Sequence, residues 1–335
     1  MYKEGIEMIK KVINKVHDVG LKKTFYLIKL KCFSNFQSKF NLMNYKKNYL
    51  FNEKNTYWHS YNYIKRKYLK RIMNAKKQKG SNKYSNIVWW CWLQGEENCP
   101  QLQKRCLESL RKNLTDRNII IITNDNLFDY ITLPDYIIEK HNNGFISNTH
   151  YSDLIRLQLL IKYGGTWIDS TAFCTGYNSE YFDKPLFVFK NINNIWYANK
   201  FKEDQEAIVA DNWFITSEIN NPILVLVRDM LFDYWKEHDY LVDYFIFHYF
   251  FTLIVTYKYK NEFDNVPLYS HLLPHLLQFV YFDKYDKNCI KKILSQSTIH
   301  KLTNKVDLDS IKKDSFYKKL LRNDKDLLSD IYEQK

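Results

Sequence analysis

Asp153 and Arg156 stand three residues apart in the run Ser152-Asp153-Leu154-Ile155-Arg156, and Asp169 follows in Tyr163-Gly164-Gly165-Thr166-Trp167-Ile168-Asp169-Ser170-Thr171. Three-residue spacing on a helix puts an acid and a base on one face. There they either pair with each other or offer an acceptor and a fork of donors to a hydroxylated ligand. A glycine pair can end the helix and reverse the chain through left-handed backbone. A strand after it would carry Asp169 to its carboxyl end, where a carboxylate suits a hard cation such as one bound to a diphosphate. Each of these signals is common alone, since a helical Asp/Arg pair is usually an ion pair and Gly-Gly usually a turn, but the ordered composite is not.

The elements that must position these groups are readable from apolar periodicity. Residues 87–93 (IVWWCWL) form a β-rich run ending at Gln94-Gly95, followed by Pro100 and the amphipathic series Leu102, Cys106, Leu107 and Leu110. Residues 118–123 (NIIIIT) form a second, continuous apolar run, as expected of a parallel strand buried on both faces. Strand, helix, strand implies a βαβ unit, and in open α/β sheets ligands gather at the carboxyl ends of the strands, here near Asn124-Asp125-Asn126. A helix over 152–163, short strands over 166–169, 186–189 and 213–216, and helices from Pro222 onward complete the expected α/β fold. The apolar run 244–257 holds His248 and is too short to span ~30 Å of hydrocarbon, so it is expected to be a buried helix. At its start Asp243, Tyr244 and His248 form a second polar island; a satisfied buried network is favoured over a role for Asp243 towards an acceptor.

The segments HYSDLIRLQLLIKYGGTWIDST (150–171), IVWWCWLQGEENCP (87–100) and IHKLT (299–303) together resemble the capsular-polysaccharide-synthesis branch of bacterial glycosyltransferases. That branch is similar to family 32 sugar transferases and, more distantly, to the glucosylating bacterial toxins. The resemblance covers roughly 87–303. It implies a GT-A type, Rossmann-like nucleotide-binding domain with a mostly parallel sheet, a nucleotide-sugar donor, a divalent metal (Mn²⁺ or Mg²⁺) and retention of anomeric configuration.

Carried over by position, Trp92 falls where such enzymes stack an aromatic on the nucleobase, although it could equally be core beside Trp89 and Trp90. Gln94, Gly95 and Asn124 border the same donor site, while Asp153 and Arg156 match residues that hold the donor sugar and ribose hydroxyls. Asp169 matches the first Asp of a DxD metal motif, whose second Asp is here Thr171. His300 falls where a C-terminal His approaches the metal and diphosphate, and Lys301 could neutralise the departing diphosphate. The expected metal set is therefore Asp169, Thr171 and His300.

Composition bounds the alternatives. The chain has 335 residues, 45% of them hydrophobic and 17% aromatic, which excludes a disordered chain. With 8 Gly and 6 Pro, glycine-loop nucleotidases and linker-rich proteins are disfavoured too. The net charge of +13 resembles a nucleic-acid signature until it is divided: residues 1–83 carry 21 Lys and Arg against four acids, an excess of +17, and the rest is −4. Six cysteines without a two-residue gap read as buried thiols in a reducing compartment, and the N-terminus lacks a signal-peptide pattern. A cytoplasmic protein is expected.

The stripe Ile6, Ile9, Ile13 and Val16, opposite lysines, suits a helix lying on the anionic inner face of the cytoplasmic membrane, or one packed on its own domain. A basic arm over 1–83, a catalytic domain over 84–310 able to stand without it, and a helical tail over 311–335 are the expected units. The lead function is transfer of a sugar from a nucleotide sugar to a saccharide or lipid-linked acceptor. The rivals are transfer of a sugar phosphate on the same fold and a catalytically inactive module that binds anionic surfaces; nothing indicates nucleic acid as a partner.

Overall fold

The protein is described by a computed structural model covering residues 49–191, 207–303, 305 and 311–322. The expected helix over 6–30 and its apolar stripe lie outside the described residues. Among the described residues there are seven strands: β1 (Ile87–Cys91), β2 (Asn118–Ile122), β3 (Gly165–Ile168), β4 (Ala172–Cys174), β5 (Leu186–Lys190), β6 (Ala210–Ser217) and β7 (Ile299–Lys301). The helices that matter most are α1 (Tyr49–Asn74), α2 (Gln101–Asn113), α3 (Asn148–Tyr163), α4 (Pro222–Glu237), α5 (Ile246–Tyr257), α6 (Leu272–His275) and α7 (Phe316–Arg322).

The central sheet has the order β2-β1-β3-β6-β5. β1 pairs in parallel with β2 and β3, whereas β6 runs antiparallel to both β3 and β5. Four strands thus point one way and β6 alone opposes them, so the sheet is mostly parallel as expected. One consequence shapes the site: the amino end of β6 lies at the same edge as the carboxyl ends of β1, β2 and β3. A second, two-stranded sheet pairs β4 with β7 antiparallel and brings the chain back from Ile299 to the turn after Asp169.

The alternation of β1 sets the two faces. Trp89 packs with Leu154, Ile155 and Leu159 of α3 on one face, while Val88 and Trp90 pack with Leu107 and Leu110 of α2 and with Phe187 and Phe189 of β5 on the other. β2 does not have the doubly buried character expected of it. It is an edge strand, and of its five residues only Ile122 is fully buried. The sharp link from α3 to β3 needs both glycines: Gly164 and Gly165 have φ of 66° and 87°, and a Cβ on Gly165 would sit 2.3 Å from the carbonyl oxygen of Ile87.

Part of the segment expected as a basic arm, α1, packs on the body that was expected to begin at Tyr84. Tyr61, Ile64, Tyr68 and Ile72 recur at helical spacing and are buried in the main core, with Tyr61 edge-on to Tyr249 at 6.1 Å and Tyr68 edge-on to Phe250 at 5.1 Å. Part of the charge asymmetry is complementarity between the two regions, because Lys67 and Arg71 pair with Glu237, Arg71 also with Asp233, and Lys77 with Glu262. At the other end, Phe316, Tyr317 and Leu320 of α7 pack with Leu102 and Cys106 of α2 and Phe173 of β4, tying the segment expected as a tail into a third cluster.

Candidate active site at the carboxyl edge of the sheet

The residues that the sequence singled out converge beside the end of β3. Asp153 and Arg156 project from α3 and are almost wholly buried. Arg156 Nη2 lies 3.3 Å from Asp153 Oδ1 and 3.5 Å from Asp169 Oδ1, and its guanidinium covers the Trp167 ring at 4.9 Å from the centroid. It also donates to the backbone carbonyl of Asn212 and to Ser152, at 3.4 Å to the carbonyl and 3.3 Å to Oγ. Asp153 Oδ1 accepts from Asn212 Nδ2 at 2.9 Å. Asn212, at the amino end of β6, therefore holds both partners. No sequence signal marked it, because only the antiparallel direction of β6 brings it to this edge.

Asp169 is the more open member, with 27% of its side chain exposed. Its Oδ1 accepts from Trp167 Nε1 at 2.9 Å and its Oδ2 from Lys301 Nζ at 2.9 Å; the same ammonium donates to Thr171 Oγ1 at 2.8 Å. Burial acts to raise the Asp169 carboxyl, but the charges of Lys301 and Arg156 and the donors Trp167 and Lys301 outweigh it and hold the group below the usual carboxylate range. For Asp153 the balance is reversed: burial raises it despite Arg156, His150 and Asn212. Two carboxylates and two fixed cations thus form one compact, charge-balanced group.

His300 takes no part in it. It is fully buried on β7, 3.4 Å from Thr175 Oγ1, and burial drives its imidazole down to about 3. Successive strand residues face opposite ways, so when β7 pairs with β4 it sends Lys301 to Asp169 and His300 into the core. The expected ligand set of Asp169, Thr171 and His300 does not fit a divalent cation: both acceptors facing the site take the Lys301 ammonium, the second carboxylate oxygen is held by Trp167, and the imidazole is elsewhere.

Trp92, Gln94, Gly95 and Asn124 occupy the loops that follow β1 and β2 along the same edge. Backbone bonds from Gly95 to Trp92 and from Asn124 to Leu93 tie these loops together. Trp92 is half-buried against the Val88 and Trp90 face with its indole N–H buried and unpartnered, and Gln94 and Asn124 are exposed. Among the described residues no hydrogen bond joins these four to the Asp169 group. Cys91, at the end of β1, has its thiol pushed up to about 12 by burial, which removes it as a nucleophile.

The second polar island is not the closed network expected of it. Asp243 accepts from the Phe245 backbone N–H ahead of α5, and the carbonyl of Tyr244 bonds His150 Nε2 at 3.1 Å. The Tyr244 ring is exposed; partial burial and the carboxylates of Asp153 and Asp169 raise its phenol. His248 is driven down to about 4 by burial, feels Asp211, Arg156 and Asp169, and leaves Nδ1 unpartnered. The charges of the Asp169 group thus reach both Tyr244 and His248. By contrast, a surface recess of about 450 Å³ lined by Arg117, Asp183 and Lys184 lies by Asn86 and Asp116, at the opposite edge, and contains none of these residues.

A family model described as capsular polysaccharide synthesis protein matches residues 37–320. No curated protein matches the sequence. Among solved structures, the PaToxG glycosyltransferase is similar over 80% of this chain and 97% of its own, at 14% identity and a TM-score of 0.38. The family match spans α1 and most of α7, the two elements that pack onto the body from outside the expected domain.

Proposed function

The chain belongs to the family of capsular polysaccharide synthesis proteins, and from that premise we propose that it is a glycosyltransferase that moves a sugar from a nucleotide sugar to a saccharide or lipid-linked acceptor. The observation that carries the reading is the convergence of Lys301, Asp169, Thr171 and Arg156 at the carboxyl edge of a mostly parallel sheet. Breaking a glycosyl–diphosphate bond places negative charge on the departing oxygen, and fixed cations aimed at that charge lower the barrier. Lys301, 18% exposed and held between two acceptors, is the cation able to turn towards a diphosphate; Arg156, enclosed on every side, fixes Asp153 and Asp169. Asp153 and Asn212 would hold sugar hydroxyls, and Trp92, Gln94, Gly95 and Asn124 would border the nucleotide.

In this reading the ammonium of Lys301 serves at Asp169 where the DxD pattern would use a metal ion. Kinship with family 32 and retention of configuration belong to the same proposal, as does attachment of the basic N-terminal segment to the inner face of the cytoplasmic membrane. No helix among the described residues is long and apolar enough to cross a membrane. The test is product release from a panel of nucleotide sugars, with and without lipid-linked saccharide. Nucleoside diphosphate release is expected. Nucleoside monophosphate release would mark sugar-phosphate transfer instead, and no turnover with any donor would leave the binding-module reading.

A further inference from the structure

We propose that Asp211, His271 and His275 form a binding site for a divalent transition-metal ion, separate from the Asp169 group. Asp211 stands at the amino end of β6, His271 immediately before α6 and His275 at its end. One ligand atom from each lies within 4.8 Å of the other two, and all three residues are half-buried. Two ligands on one zinc-sized ion, with bonds of about 2.0–2.2 Å, sit ~3.3 Å apart. Small side-chain rotations close that difference.

The surroundings are those of a ligand set rather than of a hydrogen-bonded network. His275 Nδ1 lies 2.6 Å from the carbonyl oxygen of His271, so that nitrogen carries the proton and Nε2 presents its lone pair. Metal-bound histidines typically donate their second N–H in this way. Asp211 Oδ2 accepts from Trp213 Nε1 at 2.8 Å, which fixes the carboxylate and leaves Oδ1. His271 Nδ1 stands 3.7 Å from Asp211 Oδ1, facing the carboxylate, and among the described residues its Nε2 is buried without a partner.

Two imidazoles and one carboxylate favour Zn²⁺ most, with Mn²⁺ weaker, over Mg²⁺ and Ca²⁺, which take oxygen ligands. The ion would pin the segment through 269–275, already bonded to Lys190 by backbone hydrogen bonds, onto β6. It would also steady Trp213, whose ring meets His275 edge-on at 5.8 Å and lies 5.8 Å from Lys301 Nζ.

The experiment is a titration of the chelator-stripped full-length chain with Zn²⁺, Mn²⁺, Mg²⁺ and Ca²⁺ separately, by calorimetry and by thermal melt. One equivalent of Zn²⁺ or Mn²⁺ should bind and raise the melting temperature, with Mg²⁺ and Ca²⁺ at least 100-fold weaker. Asp211→Asn and the double variant His271→Ala/His275→Ala should each lose at least 100-fold in affinity while keeping the wild-type circular dichroism spectrum. Asp169→Asn should bind as wild type. An ion retained by the double variant and lost from Asp169→Asn would overturn the proposal, and so would no stoichiometric binding of either transition metal. If His271→Ala/His275→Ala does not fold, Asp211→Asn with unchanged affinity overturns it instead. None of these readouts depends on transferase activity, so failure here and failure of the transferase reading are told apart.

Discussion

Replacing Lys301 by methionine keeps the length and apolar stem of the side chain and removes only the ammonium. In the folded protein that ammonium makes two hydrogen bonds, to Asp169 Oδ2 and Thr171 Oγ1. A hydrogen bond to a charged group is worth ~1.5–3 kcal/mol when well shielded. Asp169 retains Trp167 Nε1 and Arg156 as partners and is about a quarter exposed, so the expected stability loss is near the lower end, about 1–2 kcal/mol. For a chain of 335 residues that is a fall in Tm of roughly 1.5–3 °C. The catalytic loss should be larger, since removing one preorganised donor to developing negative charge costs ~10²–10³ in kcat.

The acid limb adds a signature. The Asp169 pKa is depressed on folding, so its stabilising effect is complete above the unfolded value near ~3.9 and is lost as pH falls through the lower folded value. Lys301→Met should flatten that part of the stability profile. The assays are steady-state release of nucleoside diphosphate and thermal melts between pH 2.5 and 7. A variant that keeps kcat within threefold of wild type would refute the assignment of Lys301 to the leaving group, whatever its melting temperature.

Gly165→Ala should destabilise by at least 1–3 kcal/mol, seen as a lower denaturation midpoint, because the new Cβ meets the Ile87 carbonyl oxygen at positive φ. A chain beginning at Tyr84 should aggregate or melt early: it loses Tyr61, Ile64, Tyr68 and Ile72 from the core, ~1.5–3 kcal/mol each, a total comparable with the whole stability of a domain. A soluble, cooperatively melting fragment would contradict the packing of α1. His300→Leu should lessen the loss of stability on acidification below about pH 6.5, because the wild-type imidazole resists protonation down to about 3 when folded and the unfolded one does not; an unchanged acid limb would show that His300 is not held neutral in the core. Full-length protein should co-sediment with anionic vesicles at low salt and release them near 1 M, where the Debye length is only ~3 Å. Indifference to such vesicles would remove the membrane role of the basic segment.

What the sequence revealed was local. The helix carrying Asp153 and Arg156, the Gly164-Gly165 reversal and the strand leading to Asp169 are contiguous, and their periodicities and turn chemistry required nothing beyond neighbouring residues. What escaped depended on partners far along the chain. Whether His300 or Lys301 faces the site is a matter of strand parity, fixed only once β7 pairs with β4. Asn212 and Asp211 reach the edge because β6 opposes its neighbours, a direction that no run of apolar residues encodes. The four-residue spacing of His271 and His275 was visible, but its third partner lies sixty residues earlier. In the basic segment the dense lysines drew attention from Tyr61, Ile64, Tyr68 and Ile72, whose helical spacing already marked a buried face.

The central claim, that Lys301 and Asp169 act on the diphosphate of a nucleotide sugar, is tested most directly by nucleoside diphosphate release from the best donor of a nucleotide-sugar panel. Wild type, Lys301→Met and Asp169→Asn would be compared with a lipid-linked saccharide present. Wild type should turn over, and both variants should lose at least 100-fold in kcat while still folded. Turnover unchanged in both variants, or no diphosphate released from any donor by wild type, would contradict that claim.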